Sequence, residues 1–189
     1  MTDLPPQTPA EGRDLSVPIE RIATQAAGMS LALLLVPLAV YALTWGWRDL
    51  FSNYSVLGFP LAAVGLVLAH EGFHAIGWKY AGNLRWSDLE FGFAWKALAP
   101  YCHAKAPLRA DAYRFGAALP GVMTGLLPFG WALLNGNGMW AVLGAVMISG
   151  AVGDIVVLRV ISELPADAIV KDHPSQAGCI VVDEGTPTT

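Results

Sequence analysis

Leu68-Ala69-His70-Glu71-Gly72-Phe73-His74-Ala75-Ile76 sets two imidazoles and a carboxylate inside a run otherwise suited to lipid. In an α-helix, His70 and His74 are four residues apart and lie one turn above the other on one face, the geometry that two ligands of a single metal need. A carboxylate at Glu71 reaches a water at the metal rather than the metal itself, so His-Glu-x-x-His reads as two zinc ligands plus a general base. With four His and six Glu in the chain, chance produces this pattern with odds of about three in a thousand. An ionisable side chain at mid-membrane also costs roughly 2.5–3.5 kcal/mol, which argues against a cluster that merely ties helices together.

The surroundings of the motif decide the solvent. Of 189 residues, 54% are hydrophobic and only 14% charged, too apolar for an ordinary soluble domain. Ile22 to Trp47 carries no charge, and its core from Met29 has the length of a membrane helix, with Trp45 and Trp47 as interfacial anchors. Pro37 is placed to kink it. Apolar residues resume at Val56 and run to about Tyr80, broken only by the motif. No charge occurs between Arg114 and Asp154, and Asn135-Gly136-Asn137-Gly138 divides that gap into Phe115–Leu134 and Met139–Leu158. Each is long enough to cross a hydrocarbon core of about 30 Å, and Pro120, Gly121 and Pro128 predict a bent third span.

Between spans two and three, Asn83 to Arg109 is too polar to cross. Leu89, Phe91, Phe93 and Trp95 alternate there with Glu90, Gly92, Ala94 and Lys96, the period-two pattern of a strand with one apolar face. A second extended piece, Tyr101 to Lys105, pairs with it across Ala97-Leu98-Ala99-Pro100. The expected fold is therefore an all-α membrane protein of four transmembrane helices, with a short cytoplasmic β-hairpin at about 84–106 between helices two and three. Residues 1–27, with Pro5, Pro6, Pro9 and Pro18, read as a flexible tail leading into a retained span rather than a cleaved signal peptide. Residues 28–162 read as the four-span domain and 163–189 as a cytoplasmic tail, with no second domain or internal repeat.

Basic residues set the orientation. Arg13, Arg21, Lys79, Arg85, Lys96, Lys105, Arg109, Arg114, Arg159 and Lys171 fall on one side of the four spans and Arg48 alone on the other, which puts both termini and the hairpin in the cytoplasm. Cys102 and Cys179 then read as free thiols. A net charge of -4 and the lack of a basic tract leave no reason for a nucleic-acid partner.

Catalytic zinc usually takes three protein ligands and a water, and the candidates for the third are Asp154, His103 and His173. His74 is five residues before Lys79 and Asp154 five before Arg159, so both lie roughly 7.5 Å inside the boundary at helical rise. A shared depth favours Asp154, where a divalent ion would neutralise an otherwise costly carboxylate. His103 reads as a surface residue or substrate contact. His173, in Lys171-Asp172-His173-Pro174, reads as a loop residue.

His70-Glu71-Gly72-Phe73-His74-Ala75, Phe91-Gly92-Phe93-Ala94-Trp95-Lys96, Pro100-Tyr101-Cys102-His103, Gly153-Asp154 and Asp172-His173-Pro174-Ser175 with Gly178 follow one another in an order that resembles the zincin peptidase family of small membrane proteins, a domain of unknown function. That family is in turn similar to the site-2 proteases. The resemblance covers residues 66 to 182. It implies His70 and His74 as histidine ligands, Glu71 as general base, Asp154 as the aspartate ligand, and peptide hydrolysis in or near the membrane close to its cytoplasmic face. One block departs: site-2 proteases carry asparagine-proline before aspartate-glycine, whereas Ser149-Gly150-Ala151-Val152-Gly153-Asp154 has neither.

The expected function is thus a zinc-dependent intramembrane or juxtamembrane peptidase, set in the lipid bilayer, that hydrolyses a peptide bond of a membrane-protein or peptide substrate near the cytoplasmic face. Pairing of an extended substrate with the hairpin edge around Leu89 to Trp95 makes Phe91, Phe93, Trp95 and His103 the candidate substrate contacts. The rival readings are a non-catalytic membrane protein that keeps the metal site for structure or binding, and a divalent-ion transporter. The oligomeric state is not legible.

Overall fold

Each uncharged stretch becomes helix. The computed structural model describes residues 12–18, 24, 26–95, 99–174 and 176–183. Most of the N-terminal tail, Lys96, Ala97 and Leu98, where the sequence places the hairpin turn, and Ser175 lie outside the described residues. Helix α1 (Ala27–Trp45) is followed by a short 3-10 turn and α2 (Gly58–Ala81), which carries the motif. The third apolar stretch is α3 (Ala110–Pro120), a π-helical turn (Gly121–Leu126) and α4 (Leu127–Asn135); the fourth is α5 (Gly138–Gly150) and α6 (Val152–Val160). These make four segments long and apolar enough to cross a membrane: Ala27–Trp45, Gly58–Ala81, Ala110–Asn135 and Gly138–Val160. Large side chains such as Leu43, Leu61 and Leu134 are exposed along them.

The sequence predicts a continuous fourth helix, but the structure breaks it at Ala151, between α5 and α6. Asp154 consequently sits in the first turn of a new helix, where a negative charge is favoured by the unpaired N–H groups. The bend expected of the third stretch takes the form of the π turn just after Pro120.

The larger departure is a four-stranded antiparallel sheet. Strands β1 (Asp14–Val17), β6 (Ala177–Asp183), β5 (Ile169–Asp172) and β4 (Leu108–Arg109) lie side by side in that order. Segments read from the sequence as N- and C-terminal tails therefore supply three of its strands, and the fold is mainly helical with antiparallel strands rather than all-α. The β-branched run Ile180-Val181-Val182, separated by a turn from Ile169-Val170, was the available signal. Gly178, at φ +117°, permits the crossing of β6 against β1, because a Cβ there would stand 2.5 Å from the Leu15 carbonyl oxygen.

The expected hairpin forms from β2 (Leu89–Ala94) and β3 (Ala99–Ala104). β3 begins two residues early and includes Pro100. The backbone N–H of Ala104 points out of the hairpin to Asp172, so the nitrogen of Pro100, four residues earlier on the same edge, leaves no ladder bond unmade. The main buried core, including Trp78, Leu89, Ala104, Tyr113, Ile161, Val170 and Val181, lies where this hairpin and the sheet meet the ends of α2, α3 and α6.

Candidate metal centre

The site begins with a close approach of two helices. A Cβ on Gly77 would lie 2.5 Å from the Gly116 Cα, and one on Gly116 would lie 2.1 Å from the Trp78 ring. Only glycines allow α2 and α3 to touch there. His74 is thereby brought against the backbone of α3, and its Nδ1 lies 3.0 Å from the Gly116 carbonyl oxygen. That carbonyl is available because its helical partner four residues on would be the N–H of Pro120, which proline lacks.

The tautomers follow from these partners. A carbonyl only accepts, so His74 Nδ1 carries the proton and Nε2 the lone pair. His70 Nδ1 lies 3.2 Å from Thr124 Oγ1. The Thr124 hydroxyl donates to the Pro120 carbonyl at 2.8 Å, which makes its oxygen the acceptor for His70 Nδ1–H. Both Nε2 lone pairs then face one carboxylate: His70 Nε2 is 3.1 Å from Asp154 Oδ2, and His74 Nε2 is 3.4 Å from Asp154 Oδ1. Three acceptor groups converge with no proton assigned between them, inside apolar helices. Such a set calls for a cation, and imidazoles held through Nδ1 by protein acceptors are the usual way a protein aims ligands at one. His70, Glu71 and His74 also form a group whose ligand atoms lie within 4.8 Å of one another and can hold a metal ion.

A cavity of about 440 Å³ opens on this centre. His70, Glu71, His74 and Asp154 line it, together with Tyr101, His103, Asp172 and His173 among others. The Cys102 backbone N–H faces the Glu71 carboxylate, so the strand edge at the site is that of β3. The sequence reading placed it at β2. Phe91, Phe93 and Trp95 do not line the cavity and are 55%, 42% and 79% exposed; the strand pattern gives which residues share a face but not which edge abuts the helices. His103 does line it, with Nδ1 2.8 Å from Asp172 Oδ2. This hydrogen bond holds its imidazole above the ordinary histidine pKa, against partial burial. His173 lies at the β5–β6 turn, where its Nδ1 accepts from the Gln176 N–H at 2.9 Å.

Sequence reasoning missed Thr124, the Gly116 carbonyl, Tyr113 and Asp172. Gly116 preceding Pro120 by four residues was the one legible sign. Cys102 and Cys179 are buried free thiols, and burial pushes each up to about 12.

A family model described as "Putative zincin peptidase" matches residues 63–169, the region that holds the motif, β2, β3 and Asp154. The chain belongs to this family. A zincin site takes zinc, and the donors gathered here suit it. The chain is also similar to an uncharacterized 24.7 kDa protein of Pyrococcus woesei, 33% identical over 129 residues, which are 67% of this chain and 54% of that protein. It thus spans about half the length of that relative. No solved structure matches it.

Proposed function

We propose that this member of the zincin family is a zinc-dependent peptidase that hydrolyses a peptide bond of a membrane protein near the cytoplasmic face, with His70, His74 and Asp154 as metal ligands and Glu71 as general base. The observation that carries this reading is the convergence of two Nε2 lone pairs and one carboxylate beside Glu71, on the lining of a cavity about 440 Å³ in volume.

His70, His74 and Asp154 would hold the zinc, which would supply Lewis acidity to a water and to the peptide carbonyl. The chain's own groups do the rest. Gly116 and Thr124 keep both imidazoles turned with Nε2 inward, and Asp154 balances the charge. Glu71 takes a proton from the attacking water at its carboxylate and passes it to the leaving amine nitrogen, so one water is consumed and an acid and an amine are released. The outward N–H groups of β3 are already taken by Glu71 and Asp172, so what the strand would offer an extended substrate along the cavity is its carbonyls at Pro100 and Cys102; a transmembrane helix must become extended before its amides can be reached.

The test compares membrane-protein fragments in cells carrying the wild type or Glu71→Gln, with zinc measured in the purified proteins. Glu71→Gln is expected to keep zinc and lose the fragments, and Asp154→Ala to lose zinc. Fragments unchanged in the Gln variant would overturn the peptidase reading.

A further inference from the structure

Strands β3 and β5 supply a second polar pair to the lining of the same cavity, His103 and Asp172. Asp172, at the end of β5, is buried at 8% exposure. Its Oδ1 accepts from the Tyr113 hydroxyl at 2.8 Å and its Oδ2 from the Ala104 N–H at 3.1 Å. Tyr113 is itself fixed, since its ring stacks on Trp78 at 5.5 Å between centroids and Trp78 stacks on His74 at 5.3 Å. Asp172 therefore cannot swing away, and it meets His103 Nδ1 at 2.8 Å. Against a carboxylate, Nδ1 carries the proton. The ring's other polar atom, Nε2, belongs to a residue that lines the cavity.

The placement along β3 is specific. At Cys102 the backbone N–H faces Glu71, and at Ala104 it bonds Asp172. His103 lies between these two contacts, one residue from the N–H that faces the proposed base, and is tied to a carboxylate of its own. Zinc would sit with His70 and His74, whose ring nitrogens meet Thr124, Gly116 and Asp154. A histidine oriented through Nδ1 by a buried, fully bonded carboxylate has one polar edge left to present to a ligand. The peptide group expected in this cavity has one acceptor to receive it.

Resting on the peptidase reading, we propose that His103 is a catalytic residue whose Nε2–H donates a hydrogen bond to the carbonyl oxygen of the scissile peptide, and that Asp172 is its positioning residue. No covalent bond changes at the histidine, and the proton given to the leaving amine remains that of Glu71. The bond strengthens as charge gathers on the oxygen. With Nδ1–H committed to Asp172, Nε2 carries a hydrogen only when the ring is the imidazolium; the Asp172 carboxylate favours that form against partial burial, as does Glu90, while Lys171 opposes it.

The experiment uses the purified full chain and the membrane-protein substrate revealed by the Glu71→Gln comparison. His103→Leu, His103→Gln and Asp172→Asn are compared for zinc content, kcat, KM and the pH profile of kcat. His103→Leu should keep zinc and lower kcat by about 10²–10³-fold with little change in KM. His103→Gln, which retains a neutral N–H donor, should recover part of that loss. Asp172→Asn should shift the alkaline limb of the kcat profile to lower pH, which a merely structural bond would not do. Loss of zinc in His103→Leu would make His103 a ligand and overturn the proposal. So would near-wild-type kcat in that variant while Glu71→Gln is inactive, an outcome that leaves the peptidase reading standing. Should His103→Leu fail to fold, the Asp172→Asn pH profile decides alone, and an unmoved limb overturns the proposal.

Discussion

His74 Nδ1 donates to the Gly116 carbonyl at 3.0 Å because Pro120 offers that carbonyl no N–H. A helix defect in the third apolar stretch thereby orients a ligand carried by the second. Pro120→Ala restores the missing N–H and lets the helix compete for the carbonyl. Zinc affinity is expected to fall by about 10-fold or more, the usual effect of losing a partner behind a ligand. Competition titration with a chromophoric chelator reads it, and an unchanged affinity would remove Gly116 from the site.

Thr124 plays the matching part for His70. Thr124→Val keeps the shape and removes the acceptor, leaving a buried N–H unpaired. Zinc should bind about 10–100-fold more weakly, while Thr124→Ser should stay near wild type. Equal affinities for the Val and Ser variants would show that the hydroxyl does nothing for the imidazole.

The helix contact at Gly77 and Gly116 tolerates no side chain. Gly116→Ala should lower stability by about 1–3 kcal/mol through overpacking against Trp78. It should also weaken zinc binding, since His74 would be pushed from its acceptor. Thermal unfolding in detergent with and without added zinc measures both effects, and a variant as stable as wild type would contradict the close approach.

The His103–Asp172 bond sets a pH dependence. Hydrogen bonding to Asp172 raises the folded-state pKa above 6.5, so the folded chain binds this proton more tightly than the unfolded chain. The resulting stabilisation is fully present below about pH 6.5 and is lost as pH climbs through the raised value. Melting temperatures of wild type should therefore fall over that window relative to His103→Gln. Parallel curves for the two proteins would show that the pair contributes no linked stability.

The motif and the aspartate were legible because charge inside an apolar run is conspicuous, and the count from Lys79 and Arg159 brought Asp154 to the depth of His74 without any knowledge of the fold. The partners behind the ligands were not legible, since a carbonyl freed by Pro120 looks like any other carbonyl in a sequence. Strand pairing was harder still. β4 is two residues long, too short for a period to register, and β1 finds its partner more than 150 residues away. Phe91, Phe93 and Trp95 were read as site residues from a correct strand period, but a period carries no information on which of two edges meets α2.

The pairing of β1 with β6 imposes a rule of parity. β1 precedes the first apolar helix and β6 follows the last, and they can lie in register, Asp14 opposite Ile180, only if the chain between them crosses a bilayer an even number of times. Four helices long and apolar enough to cross satisfy that rule. Asp172 reaches His103 from the strand beside β6, so for a chain set in a bilayer this part of the cavity depends on the same count: removing or adding one crossing would strand Asp172 on the opposite side from the residues it braces.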